Sequence, residues 1–144
     1  MELTATAMYR VPFHDIDVMN IVWHGNYFRY FELARTALVQ SIGFDWPDVR
    51  EWGFVMPVVD VAAHFKRSVI YNQELRLVAT CSDPMLPAFD LKYEVRSADN
   101  KTLHVTGTSR QVYFDVAENS ISYALPAVFE RKFREIAIEG GLKP

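Results

Sequence analysis

The chain has 144 residues and a formal net charge of −3, a length that predicts one domain spanning 1–144 and burying roughly two-thirds of the surface its unfolded chain would expose. No cluster of Lys and Arg stands out from the acidic balance, which argues against nucleic acid as a partner, because a phosphate backbone has to be neutralised by cations. Apolar runs stay well short of the ~20 residues a membrane span needs, and a single cysteine, Cys81, excludes an intramolecular disulfide framework and suits a reducing, cytoplasmic setting.

The first residues, MELTATAMYRV, lack the basic start and long apolar run of a signal peptide. They read instead as a strand: Leu3, Ala5, Ala7, Tyr9 and Val11 alternate with Thr4, Thr6, Met8 and Arg10, and Pro12 can end it. A turn-like segment follows, FHDIDVMNIVWH, crowded with His14, Asp15, Asp17 and His24. The period then changes. Tyr27, Tyr30, Phe31, Ala34 and Leu38 recur at three- and four-residue spacing, predicting a helix from about 24 to 40, with Glu32 and Arg35 able to pair and Gly43 as a stop signal. Trp46 to Glu51 reads as a short helical turn with Pro47 in its first turn. From there strands dominate. Val58 to Phe65, Leu75 to Thr80 and Phe89 to Arg96 are expected as three, Ala98 to Lys101 as a turn, and Leu103 to Val116 as one long strand. Phe129, Phe133, Ile136 and Ala137 mark a terminal helix from Pro126 to Ile138. Short links between strands imply antiparallel neighbours, and one long helix packed on such a sheet is an α+β architecture.

The turn before the long helix is where chemistry is expected. A carboxylate there sits beside a helix start, where backbone N–H groups are unpaired and the dipole end is positive. Asp15 reads as a turn cap or as a direct participant in catalysis. His14, Asp15, Asp17 and His24 are also the right types for zinc or iron, but their spacing matches no strong ligand pattern, and alternation would turn His14 away from Asp15; no metal is expected. Cys81 has no base near it in sequence, and His64 and His104 read as ordinary sheet residues.

The segment FHDIDVMNIVWHGNYFRYFELAR resembles the 4-hydroxybenzoyl-CoA thioesterase family, especially its acyl-CoA thioesterase branch associated with the Tol–Pal gene cluster. The shared pattern is carried by Phe13, Asp15, Asp17, Val22, Trp23, Tyr27, Phe31, Glu32, Ala34 and Arg35. The resemblance implies a hot-dog fold, a curved antiparallel sheet of about five strands wrapped around one long central helix. It also implies a homo-oligomer, dimer or tetramer, with active sites at the subunit interface, and hydrolysis of acyl-CoA or acyl-carrier thioesters without a cofactor. Position by position, Asp17 falls on the family's catalytic carboxylate. Position 24 falls where a backbone N–H at the helix start holds the thioester oxygen, and His24 matches a histidine of the Tol–Pal branch.

Two departures stand out. The usual Gly four residues before position 24 is Asn20, a residue that visits left-handed backbone angles more readily than most. Where the 4-hydroxybenzoyl branch carries phosphate-binding basic residues near its fourth strand, this chain has Met85-Leu86-Pro87; Lys66 and Arg67 are the nearest substitute. Asp17 suits attack on the thioester carbon to give a mixed anhydride, or activation of a water. His24 suits orienting water, protonating the thiolate, or a purely structural hydrogen bond. Asn26 and Tyr27 are expected to shape the pocket, with Phe31, Met56 and Phe65 as further candidates for its apolar wall. Two other functions fit a hot-dog chain: a hydratase or dehydratase, and a non-catalytic acyl-thioester-binding protein.

Overall fold

Strand β1 (Leu3–Arg10) turns Leu3, Ala5, Ala7 and Tyr9 toward the interior and leaves Thr4, Thr6, Met8 and Arg10 exposed, as a period of two requires. In the computed structural model, which describes residues 1–139, it pairs antiparallel with β4 (Glu74–Cys81), from Leu3↔Cys81 to Arg10↔Glu74. The ladder continues through β5 (Phe89–Ser97) and β6 (Leu103–Gln111) to β3 (Val58–Phe65), giving a five-stranded sheet in the order β1-β4-β5-β6-β3.

Helix α1 (Asn26–Ser41) lies in the hollow of this sheet, packed on β1, β4 and β5. It buries the five residues the spacing singled out, Tyr27, Tyr30, Phe31, Ala34 and Leu38. This is the α+β hot-dog architecture. Glu32 and Arg35 pair on the helix surface, as expected. The helix begins two residues later than predicted, because Trp23, His24 and Gly25 form a separate turn: Asn26 N–H donates to the Trp23 carbonyl and Tyr27 N–H to that of His24.

One contact sets how closely the helix sits on the sheet. The Phe31 ring stacks on Tyr93 of β5 with centroids 4.6 Å apart and planes 9° from parallel. Burying such a ring is worth about 1.5–3 kcal/mol. Gly107 on β6 makes room for it: a Cβ there would lie 2.3 Å from the Phe31 ring and 2.9 Å from the Ala62 carbonyl oxygen.

A smaller sheet of β2 (Phe54–Val55), β7 (Tyr113–Asp115) and β8 (Ser120–Ser122) closes one end. Helix α2 (Trp46–Glu51) starts on Asp45, whose carboxylate accepts from Trp46 N–H at 2.8 Å. Helix α3 (Ala127–Glu139) drives Phe129 and Phe133 among Phe44, Trp52, Phe54, Phe89 and Tyr113. The strand expected over Leu103 to Val116 is in fact two. It leaves the large sheet after Gln111, whose side-chain amide donates to the Met56 carbonyl at 2.7 Å. Val112 N–H then bonds the Pro57 carbonyl, and the chain joins the small sheet as β7. Beside β6, at the edge of the large sheet, β3 is open on both faces, with Val58, Val59, Val61 and Phe65 between 42% and 55% exposed.

Candidate active site

The segment before α1 is tied down by Asp15. Residues Phe13–Asp15 form a 3₁₀ turn rather than extended chain. The Asp15 side chain is 1% exposed and accepts from Tyr30 Oη at 2.6 Å, Tyr9 Oη at 2.8 Å and the Arg29 guanidinium at 2.5 Å. Its backbone carbonyl accepts from Trp23 N–H at 3.0 Å and Asn26 Nδ2 at 2.9 Å. Burial works against the charge, but the two tyrosine hydroxyls and Arg29 outweigh it and hold the carboxyl below the usual carboxylate range. Both sequence readings of Asp15 therefore need correcting. Its side chain caps no turn and faces no cleft; it rivets the segment to β1 and α1. The same 3₁₀ turn brings His14 Nε2 to 3.5 Å from Asp15 Oδ1, where alternation had turned them apart.

Two residues on, Asp17 is held differently. Its Oδ1 accepts from Met19 N–H at 2.8 Å, its own N–H donates to the Ile21 carbonyl at 2.9 Å, and Asn20 N–H donates to the Asp17 carbonyl at 3.0 Å. Asn20 sits at φ 63°, the left-handed angle this closed loop needs, which is why asparagine serves where glycine is usual. Ile16 and Val22 bridge the base of the loop, and Val22 N–H donates to the Val69 carbonyl at 2.8 Å.

Asp17 then lines a cleft of about 250 Å³ together with Met19, Ile21, Val22, His24, Tyr27, Phe65, Lys66, Arg67 and Ser68. The His24 ring lies between Trp23, centroids 5.2 Å away, and Phe65, 6.2 Å away. Tyr27 packs on Phe65 at 5.5 Å. Burial chiefly, and the Asp17 charge in addition, push the Tyr27 hydroxyl up to about 12, so it stays protonated and available as a donor. Among the described residues, the backbone N–H groups of His24 and Gly25, just ahead of α1, donate to no backbone or side-chain acceptor. Gly25 lets the Trp23 ring fold over this helix start; a Cβ there would come within 2.3 Å of that ring.

Of the residues singled out in the sequence, the fold thus gathers Asp17, His24, Tyr27, Phe65, Lys66 and Arg67 into one cleft. It leaves three elsewhere. Asn26 spends its amide on the Asp15 carbonyl and on Arg29. Phe31 is in the core against Tyr93 and Gly107. Met56 lines a separate cleft with Arg35, Val39, Trp46 and Gln111. Cys81 is buried, and its thiol is pushed up to about 12, chiefly by that burial. Among the described residues, no group of three or more His, Cys, Asp or Glu is placed to hold a metal ion, and no helix is long and apolar enough to cross a membrane.

A five-stranded antiparallel sheet around one long helix makes this a protein of the hot-dog class. The family model described as "Thioesterase-like superfamily" matches residues 11–135, and the chain belongs to that superfamily. A Synechocystis sp. protein named "Putative esterase" is 28% identical over 123 residues, 85% of this chain and 74% of its own length. A Bacillus subtilis protein named "Putative acyl-CoA thioesterase YneP" is 36% identical over 63 residues, 44% of this chain and 46% of its own, so that match spans about half of the relative. The structure of a DHNA-CoA thioesterase from Staphylococcus aureus superposes with a TM-score of 0.77 at 21% identity, covering 95% of each chain, which shows a shared fold.

Proposed function

We propose that this chain hydrolyses acyl-CoA thioesters to a free acid and a thiol, as a member of the Tol–Pal-associated branch that His24 points to. The observation that carries the reading is that Asp17 and His24 line one cleft at the start of α1. Asp17 is the nucleophile or the general base. The N–H groups of His24 and Gly25 receive the oxyanion, since they have no other acceptor among the described residues. Water supplies the OH of the acid and one proton, and the thiolate leaves as the thiol. Lys66 and Arg67, exposed and in no ion pair among the described residues, face the anionic end of the substrate. A relative named as a putative acyl-CoA thioesterase supports the same substrate class.

At about 250 Å³ the cleft is smaller than the roughly 300–1,000 Å³ of pockets that enclose drug-sized ligands, and an acyl-CoA is larger still. A homo-oligomer completes it in this reading, through the open apolar edge of β3 that ends at Phe65. The single cysteine fits a cytoplasmic enzyme. A thiol-release screen over a panel of acyl-CoA substrates tests the proposal, with Asp17→Asn alongside. The wild type is expected to release thiol and the variant to lose at least ~10²-fold in kcat while keeping its fold. Full activity in a folded Asp17→Asn protein removes the assigned catalyst, and enoyl formation without thiol release reassigns the site to hydratase chemistry.

A further inference from the structure

We infer that His104 is a positioning residue for this cleft, acting through the strap of chain that joins β3 to β4. The strap runs from Lys66 to Gln73. Its first three residues, Lys66, Arg67 and Ser68, line the cleft, and the Val69 carbonyl holds Val22 beside the Asp17 loop. His104, on β6, is 5% exposed and grips the strap at both ends. At the near end its backbone carbonyl accepts from Lys66 N–H at 2.8 Å and Arg67 N–H at 3.0 Å, and its Nδ1 lies 3.3 Å from the Arg67 carbonyl. At the far end its Nε2 lies 3.0 Å from Gln73 Nε2.

The network assigns the proton. Gln73 Oε1 accepts from Ile70 N–H at 3.3 Å, which leaves the Gln73 amino group facing His104. An amide amino group only donates, so His104 Nε2 is the acceptor. The ring proton is therefore on Nδ1, from which it is donated to the Arg67 carbonyl. A buried imidazole in one fixed tautomer thus spans the strap, and the two side chains that flank its anchor, Lys66 and Arg67, are in no ion pair among the described residues. Two like charges next to each other in a surface segment repel and would spread the strap; the His104–Gln73 clamp holds their backbone still. Two cations carried on a held backbone at the cleft that Asp17 also lines suit the phosphate groups of a nucleotide thiol, so His104 sets substrate affinity without touching substrate. This rests on the thioesterase reading for its substrate, but not for its test.

Three variants divide the clamp. His104→Leu removes both ring contacts. His104→Asn keeps a donor where Nδ1 stood, and His104→Gln keeps an acceptor where Nε2 stood. Coenzyme A and 3′-phospho-ADP binding by calorimetry, KM and kcat for an acyl-CoA, and thermal midpoint are measured for each. His104→Leu is expected to weaken coenzyme A binding and raise KM about tenfold, with kcat within about twofold, as two lost hydrogen bonds would. His104→Asn is expected to recover most of the affinity, since it restores the bond to Arg67. Coenzyme A binding unchanged in a folded His104→Leu overturns the inference, whatever the activity. So does a loss that falls on kcat, or that follows the thermal midpoint equally in all three variants. Normal coenzyme A binding that depends on His104, with no thiol released from any substrate, upholds the clamp and overturns the hydrolase reading instead.

Discussion

Replacing Asp15 by Asn tests whether a buried charge holds the turn ahead of α1. The carboxylate accepts from two tyrosine hydroxyls at 2.6 and 2.8 Å and from Arg29 at 2.5 Å. Hydrogen bonds to a charged group contribute roughly 1.5–3 kcal/mol each. An amide oxygen keeps one or both tyrosine bonds as neutral ones at about half that strength, and its amino group opposes the remaining donor. Arg29 is 47% exposed, so its pairing adds only about 0.5–1 kcal/mol after screening by solvent. The sum is a loss of about 2–4 kcal/mol, or roughly 10 °C in thermal midpoint for a chain of this size. The sign with pH follows from the lowered folded value. The charge contributes its full stability above the unfolded carboxyl's range near 3.9, and loses it as pH falls through the lower folded value. Melting curves from pH 8 down to pH 3 should therefore show a wide gap between wild type and Asp15→Asn at neutral pH that narrows in acid. Equal midpoints at pH 7, or a gap unchanged at pH 3, would refute the assignment of the stability to the ionised carboxylate.

Gly107→Ala is expected to destabilise by about 1–3 kcal/mol in denaturant titration, because its methyl group collides with Phe31 and the Ala62 carbonyl; a stabilised variant would mean the helix sits further from β6. Asn20→Gly should melt within a degree or two of wild type, whereas Asn20→Val, forced to φ 63°, should lose about 1–2 kcal/mol and slow thiol release. Tyr113→Phe should be neutral or stabilising by up to about 1 kcal/mol, since the Tyr113 hydroxyl is buried without a hydrogen-bond partner among the described residues; a large loss by calorimetry would reveal a partner for it.

The apolar spacing of Tyr27, Tyr30, Phe31, Ala34 and Leu38 made α1 legible, because one face of a helix carries nearly all its burial. The alternation from Phe89 to Arg96 did the same for β5. The break after Gln111 was not legible. No Pro or Gly marks it, and its cause is a carbonyl 55 residues away, on Met56. Asp15 was misjudged for a related reason. Its type and place suit a cap, while the groups that capture it, Tyr9 and Tyr30, stand 6 and 15 residues off on different elements. Phe31 shows a further limit: the period marks it as inward but does not separate a core ring from a pocket wall, and only the missing side chain at Gly107 decides. His104 read as an ordinary sheet residue because its partners lie 31 and 37 residues away in sequence. The Asp17 loop was the more readable part of the site, since Asn20 and the short spacing belong to one local turn.

The two aspartates of the turn, only two positions apart, live in different media. One is sealed from solvent by aromatic hydroxyls, and the other borders open space. A water-borne reagent that esterifies carboxyl groups therefore meets the second and never the first. Chemical labelling of this kind would mark the carboxylate in the cleft and leave the one beneath it unmodified.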